Sequence, residues 1–242
     1  NAELYGLQLA NAMNAKAVLI SVYQVPLPAP GVMVMVTQED MKQMTEDHLQ
    51  EEAAKVNPYG SFLLETISAH GLPSKNIAEK AAEMGAELII AGMKGGGKTM
   101  RQIFGSTVSD LAKNTKVPLL VVPEGAAFAK PDSIVLATDL SGDTDMHALD
   151  ELKIISDFFH SRLFVVRVVK NKSEEWQQVL NTPETLKMAV RKLESQFEYP
   201  VDRDITHALN EFTAKHGINL IAMIPHKHSW AEKLLSKSET KD

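Results

Sequence analysis

Residues 88–107 read LIIAGMKGGGKTMRQIFGST, a short apolar run followed by a glycine-rich loop. The run Leu88–Ala91 has the length and composition of a buried β-strand. Glycines placed directly after a strand leave backbone N–H groups bare, and the start of a helix beyond them favours an anion. The stretch therefore predicts a phosphate-binding turn between a strand and a helix.

The same loop fits two phosphate-binding patterns that imply different chemistry. The P-loop pattern, G-x-x-x-x-G-K-[ST], is satisfied by Gly92, Gly97, Lys98 and Thr99. The pattern G-x2-G-x9-G-[ST] is satisfied by Gly92, Gly95, Gly105 and Ser106. The organisation of the rest of the chain decides between the two patterns.

A repeat runs through the chain on both sides of this loop. Residues 77–88 align with residues 209–220 at an offset of 132, and residues 14–23 align with residues 160–169 at an offset of 146. Each copy shows a helix and an apolar strand, and later a second helix that ends in a glycine before another apolar strand. Repetition of this kind indicates two similar units in one polypeptide.

The segment between the two copies has the composition of a linker. Residues 123–131 contain two prolines and Gly125, and such a cluster is typical of a domain boundary. We therefore predict one domain over residues 1–123 and a second domain over residues 132–242.

Apolar runs alternate with helical patterns in both copies. Helices are predicted at about residues 2–14, 38–55, 73–84, up to Asn114, 143–158, 183–197 and 206–216. Strands are predicted at about residues 17–22, 62–67, 87–91, 118–122, 133–138, 163–169 and 218–223. Strands that are apolar throughout and alternate with helices indicate parallel sheets covered on both faces. The predicted fold class is α/β, with two Rossmann-like subdomains packed as a pseudo-dimer.

The two copies lack opposite ends. The second copy opens with a strand at 133–138, but the first has no equivalent, because Asn1 aligns with His147. The first copy closes with a strand at 118–122, whose equivalent in the second would fall near position 250. We therefore expect these residues to be part of a longer natural chain. An open sheet that lacks its first strand exposes the edges of both flanking strands.

Composition excludes several classes of function. The 242 residues carry a net charge of −6, and the pI is near 5.8, which argues against nucleic acid as a partner. Cysteine is absent, which excludes disulfides, thiol catalysis and cysteine-based zinc sites. No apolar run approaches the roughly 18 residues that span a bilayer. We therefore expect no membrane partner and predict a cytoplasmic location.

The segment Ala86–Pro123 resembles a universal stress protein domain. It contains a strand, the glycine loop with Gly105-Ser106-Thr107, a helix, and the apolar segment VPLLVVP at residues 117–123. The opening of the second copy, a strand followed by Asp139 and Ser141, is similar to the family's usual opening. Since the repeat extends the likeness along the chain, the whole is similar to a tandem universal stress protein. That resemblance implies domains with the fold of the adenine nucleotide alpha hydrolases.

The resemblance implies an adenine-nucleotide site in the first copy, for ATP or AMP, with or without Mg²⁺. The nucleotide-binding residues that it implies are Val22, Gly92, Met93, Lys94, Gly95, Gly105, Ser106 and Thr107. The backbone of Val22 would face the adenine, and the glycine loop would hold the phosphates. A stress-response sensor or switch is the implied role, and a homodimer of chains is a further expected assembly.

The second copy departs from this pattern. At the offset of 132, the loop glycines are replaced by Ile224, Lys227 and Lys237. These larger side chains would fill the space through which phosphates approach the backbone. We therefore predict that only the first copy binds nucleotide, although the family's aspartate at the end of the first strand has no counterpart there.

The P-loop interpretation is the weaker one. A P-loop needs an uninterrupted helix from Lys98 onward, whereas Gly105 would lie inside that helix and cost it about 1 kcal/mol. The Mg²⁺-binding aspartate of such an enzyme would have to be Asp139, which belongs to the second copy. Three functions stay open: a nucleotide-binding sensor, a nucleotide-free interaction scaffold, and a P-loop NTP hydrolase that uses Lys98 and Thr99.

The sequence predicts neither catalytic residues nor metal ligands. His226 and His228 have no acidic third ligand nearby, so they make a poor zinc site. Neither a general base nor a Mg²⁺-binding carboxylate can be placed beside the glycine loop. ATP hydrolysis is therefore expected to be slow or absent.

Overall fold

The computed structural model of the chain describes residues 1–25, 36–93, 105–138, 146–182, 184–192 and 195–224. The described residues divide into two compact units, of which unit 1 ends at Phe128 and unit 2 starts at Ala129. Within this part of the chain, no helix has the length and apolar composition required to cross a membrane.

Unit 1 alternates helices and strands. Its elements are α1 (Ala2–Ala12), β1 (Ala17–Tyr23), α2 (Gln38–Val56), β2 (Leu64–His70), α3 (Pro73–Glu83), β3 (Ile89–Gly92), α4 (Ser106–Asn114) and β4 (Leu119–Val122). β1 pairs with β2, and β3 pairs with β4, in parallel in both cases. Among the described residues the two pairs form separate two-stranded sheets.

The local sequence explains where the helices of unit 1 begin and end. Thr37 and Asp40 form a reciprocal capping box at the start of α2. The hydrogen bonds from the backbone and hydroxyl of Thr37 hold the pKa of the Asp40 carboxyl below its ordinary value. Pro73 occupies the first turn of α3, and Gly85 follows that helix with a φ of 65°. This left-handed conformation confirms the prediction that the helix before β3 ends in a glycine.

Unit 2 contains a continuous four-stranded sheet. Its elements are β5 (Ser133–Ala137), α5 (Met146–Phe159), β6 (Arg162–Val166), α6 (Lys172–Asn181), α7 (Glu184–Lys192), β7 (Gln196–Glu198), α8 (Ile205–His216) and β8 (Leu220–Met223). The strand order is β7-β6-β5-β8, and every pair is parallel. The predicted α/β class with parallel sheets is thereby confirmed.

β5 is the centre of the core of unit 2. All five of its residues are buried. Because side chains alternate between the two faces of a strand, Ile134 and Leu136 pack against α5, whereas Val135 and Ala137 pack against α8. This strand therefore contributes side chains to two hydrophobic clusters among the described residues of the unit.

The prediction is wrong in one region of unit 2. The helix expected over residues 183–197 ends at Lys192, and β7 follows it at Gln196–Glu198. Gln196-Phe197-Glu198 alternates polar and aromatic residues, which is typical of a strand. The predicted helix wrongly included the first two of these residues. The prediction also omits α6, which begins after Asn171, whose side-chain oxygen accepts a hydrogen bond from the Glu174 N–H at 2.9 Å.

Candidate functional site

The residues predicted to bind nucleotide lie at three places in unit 1. Val22 is in the last part of β1, and Gly92 and Met93 are at the carboxyl end of β3. Gly105, Ser106 and Thr107 form the start of α4. Lys94 and Gly95 lie outside the described residues, as do Lys98 and Thr99 of the P-loop pattern.

The backbone of Val22 points away from β2. The Ala17 N–H donates to the Leu63 carbonyl at 2.9 Å, and the Tyr23 carbonyl accepts from the Gly71 N–H at 3.0 Å. Successive residues of a strand turn their backbone groups to opposite sides, so Val22 turns its own away from this partner. Both the N–H and the carbonyl of Val22 can therefore meet a ligand or another strand, which is the geometry that adenine recognition through the backbone requires.

The lack of a side chain at Gly92 allows close packing between β3 and α1. A Cβ atom at this position would lie 3.1 Å from the Ala2 Cβ in the first turn of α1. That distance is too short for relaxed contact, so the absence of a side chain lets α1 approach the end of β3. Sequence reasoning assigned this glycine to the ligand alone and did not anticipate the packing role.

The backbone N–H of Met93 makes a hydrogen bond within the sheet. Its N–H donates to the Val122 carbonyl at 3.0 Å, which extends the β3–β4 pairing by one residue. This N–H is therefore not available to a phosphate. Of Met93, only the carbonyl and the side chain remain for contact with a ligand.

The start of α4 is the part of the predicted site whose backbone N–H groups can bind an anion. Gly105 is exposed and caps the helix without a side-chain hydrogen bond. The first N–H groups of a helix have no partner within the helix, and the helix dipole adds partial positive charge there. A Cβ at Gly105 would meet no described atom within 4 Å. None of the described residues therefore fills the space next to the Gly105 Cα.

Gly105 also decides against the P-loop helix. Its φ of −65° and ψ of 162° are extended, and α4 begins only at Ser106. A helix that ran without interruption from Lys98 would need helical angles at Gly105. The extended backbone at Gly105 therefore contradicts an uninterrupted helix through this residue, which the P-loop interpretation requires.

Unit 2 has a cavity at the equivalent end of its sheet. A volume of about 180 Å³ lies beside the carboxyl ends of β5 and β6, lined in part by Thr138, Val168 and Ile205. This is smaller than the roughly 300 Å³ at the lower end of ordinary small-molecule sites. The sequence prediction contains no cavity here, because the lining comes from elements far apart along the chain.

The rim of this cavity carries an ion pair. His207 Nδ1 lies 2.7 Å from Asp202 Oδ2, and the Asp204 N–H donates to the other oxygen of Asp202 at 2.9 Å. The Asp204 amide, followed by His207, holds the pKa of Asp202 below its ordinary value. Asp202 in turn raises the pKa of His207. Both groups are solvated, so the pair contributes little to the free energy of unfolding.

The two glycines at this site should respond differently to the same substitution. We expect Gly92→Val to lower the free energy of unfolding by about 1–3 kcal/mol, because the new side chain overlaps Ala2. Gly105→Val replaces a favoured helix-capping residue but overlaps no described neighbour, so it should cost less than about 1 kcal/mol. Urea unfolding followed by circular dichroism measures both, and equal stability of the two variants would contradict the packing role of Gly92.

A family model matches the first half of the chain, and solved structures match nearly all of it. The model of the universal stress protein family matches residues 1–123. A universal stress protein from Archaeoglobus fulgidus superimposes with a TM-score of 0.67 at 15% identity, covering 98% of this chain and 86% of that one. A protein of unknown function from Pseudomonas aeruginosa gives a TM-score of 0.57 at 14% identity, covering 98% and 82%. A search of curated protein sequences returns no significant match.

The structural and sequence matches support different conclusions. At such low identity the superpositions show the fold, which is the parallel α/β fold described above. The family match rests on the sequence itself and includes the strand, the glycine loop and α4. It spans half of the 242 residues. The chain belongs to the universal stress protein family.

Proposed function

We propose that this chain is an adenine-nucleotide-binding universal stress protein that acts as a sensor or switch in a stress response. The observation that carries the proposal is the start of α4, where the first N–H groups have no partner within the helix and no described residue crowds Gly105. The ligand would be ATP or AMP, with its phosphates against Gly105, Ser106 and Thr107, and with Mg²⁺ as an optional companion.

The adenine in this proposal lies near Val22. The backbone groups of Val22 are turned away from β2, so they can recognise the edge of a base by hydrogen bonds. Gly92 and the loop after it, including Met93, Lys94 and Gly95, would stand between the base and the phosphates. Since the Met93 N–H is bonded to Val122, the phosphate contacts would come chiefly from the α4 side.

We further propose that the chain is a tandem protein, with one domain over residues 1–123 and a second over residues 132–242. Two correspondences support this. At the offset of 132, the first residue of β2, Leu64, falls on the first residue of β7, Gln196. At the same offset, Pro73 at the start of α3 falls on Ile205 at the start of α8. The second domain, without the loop glycines, would serve as a partner that does not bind nucleotide.

Calorimetric titration of the 242-residue chain with ATP, AMP and GTP tests the proposal. We expect ATP or AMP to bind with one site per chain and GTP to bind more weakly, because Val22 would read the base. Absence of binding by a folded chain would overturn the proposal. It would leave the nucleotide-free interaction scaffold as the function of this protein.

We also expect ATP turnover to be slower than about 1 s⁻¹, the lower end of ordinary kinase rates. Within the part of the chain that the structure describes, no three histidine or acidic side chains come together to hold a metal ion. Turnover of [γ-³²P]ATP with and without Mg²⁺ measures the rate. Sustained turnover at or above that rate, lost in a Lys98→Ala variant, would revive the NTP hydrolase.

A further inference from the structure

The cavity of unit 2 is lined by apolar residues on its buried side and by charged residues on its exposed side. Val166 of β6 and Leu209 of α8 are buried and belong to the apolar lining, which we call the floor. The charged lining residues, which we call the rim, are Arg167, Lys170, Glu174, Asp202 and Arg203. An apolar floor with a charged rim suits a ligand that has an apolar body and one charged end.

The positive charges of the rim are particular to the second copy. The repeat offsets align its basic residues with uncharged residues of the first copy: Arg167 with Ser21, Lys170 with Gln24, and Arg203 with Gly71. The floor is apolar in both copies, since Val166 aligns with Ile20 and Leu209 aligns with Ile77. The fold therefore requires the apolar floor, whereas it does not require the cations around it.

Two of these cations are available to a ligand. The side chains of Lys170 and Arg203 are exposed, and neither makes an ion pair with another residue that the structure describes. Because both side chains are long and solvated, they can turn toward an anion without breaking an existing contact. A charge-assisted hydrogen bond to such an anion is stronger than a hydrogen bond between neutral groups.

The two carboxylates of the rim hold the backbone segments that carry these cations. Glu174 accepts a hydrogen bond from the Lys170 N–H at 2.9 Å. Asp202 accepts one from the Asp204 N–H at 2.9 Å, and its own N–H donates to the Val169 carbonyl at 2.8 Å. Both carboxylates therefore already have hydrogen-bond donors. With three basic side chains against these two acidic ones, the rim has a net positive charge.

The volume of the cavity restricts the ligand to a compact molecule. The cavity measures about 180 Å³, and an engineered apolar cavity of about 150 Å³ holds a benzene molecule. One six-membered ring, or a branched chain of similar size, therefore fills the space above the floor. A nucleotide, which adds a sugar and phosphates to its base, exceeds this volume.

We propose that the cavity of unit 2 binds a small organic carboxylate. The apolar body of the ligand lies on the floor formed by Val166 and Leu209, and its carboxylate is held by Lys170 and Arg203. This inference goes beyond the proposed nucleotide function, because it concerns the other unit and a different class of ligand.

The test titrates benzoate into the 242-residue chain at fixed ionic strength, and two-dimensional ¹H–¹⁵N NMR follows the backbone amides. We expect saturable shifts at Val168 and Ile205, which line the cavity, with a Kd below about 1 mM. Benzyl alcohol has the same ring without the charge, and acetate has the charge without the ring. Each should bind more weakly than benzoate by about tenfold or more.

Variants of the rim test which side chains hold the carboxylate. Lys170→Gln combined with Arg203→Gln should weaken benzoate binding by about tenfold or more, because both charge-assisted hydrogen bonds are lost. The matched control is Lys215→Gln, which removes an exposed charge from the last turn of α8. This residue lies about 15 Å along the helix from Ile205, so the control should leave the affinity for benzoate unchanged.

Three outcomes would overturn the proposal. They are the absence of saturable shifts at about tenfold the expected Kd, equal affinity for benzoate and benzyl alcohol, and equal affinity for benzoate in the parent protein and the double variant. A Gly105→Val variant, designed to lose ATP, should keep its affinity for benzoate. The two proposals therefore fail separately.

Discussion

Replacing Gly105 by valine is expected to weaken ATP binding by about 100-fold or more, equivalent to about 2.7 kcal/mol, while the protein stays folded. The isopropyl group would stand at the start of α4, beside the first N–H groups against which the phosphates are proposed to lie. The fold should tolerate the change, because the φ of −65° at this residue suits any L-amino acid. A Cβ there also meets no described neighbour within 4 Å.

Two control variants make this result interpretable. Lys237→Val changes the corresponding position of the second copy and should leave ATP affinity unchanged. Gly105→Ala adds a smaller group and should fall between the parent protein and Gly105→Val. Calorimetric titration gives the three affinities, and circular dichroism confirms the fold. Equal affinity in the parent protein and Gly105→Val would remove the start of α4 from consideration as the phosphate site.

Truncating Ile134 to alanine is expected to destabilise unit 2 by about 4 kcal/mol, within the usual 2–5 kcal/mol for a buried isoleucine. Ile134 is 0% exposed and belongs to the cluster between β5 and α5. Since β5 also carries the second cluster on its other face, neighbouring side chains have little freedom to close the cavity. Urea unfolding followed by circular dichroism measures the loss.

The matched control is the same substitution on the surface of the same unit. Ile154 lies in α5 and is 65% exposed, so Ile154→Ala removes the same atoms from a solvated position. We expect it to change stability by less than about 0.5 kcal/mol. Similar losses for Ile134→Ala and Ile154→Ala would show that β5 is not the centre of the core.

The sequence predicted most of the elements because their signals are local. The apolar run at 17–22 became β1, and the helical pattern at 73–84 became α3. Gly217, like Gly85, has positive φ at a helix end, which glycine adopts without steric cost. At the offset of 132, β2 and β7 begin at corresponding residues, and so do α3 and α8.

The features that the sequence failed to predict have weaker local signals. β7 has only three residues and lies at the edge of its sheet, so its pattern is too short to stand out beside a helix. The packing of Gly92 against Ala2 and the cavity beside Thr138 both depend on residues distant in sequence. The predicted pseudo-dimer, the homodimer and the nucleotide itself stay predictions, as does the role of Lys94 and Gly95.

By itself, the sequence determined the alternation of helices and strands and the family, because periodicity, turn chemistry and motif spacing are local properties of the chain. Only the tertiary structure decided which strands pair with each other and in which register. It placed β5 between β6 and β8 and turned the backbone of Val22 away from β2. Hydrogen bonds between strands join residues far apart in sequence, so no local pattern specifies which edge receives them.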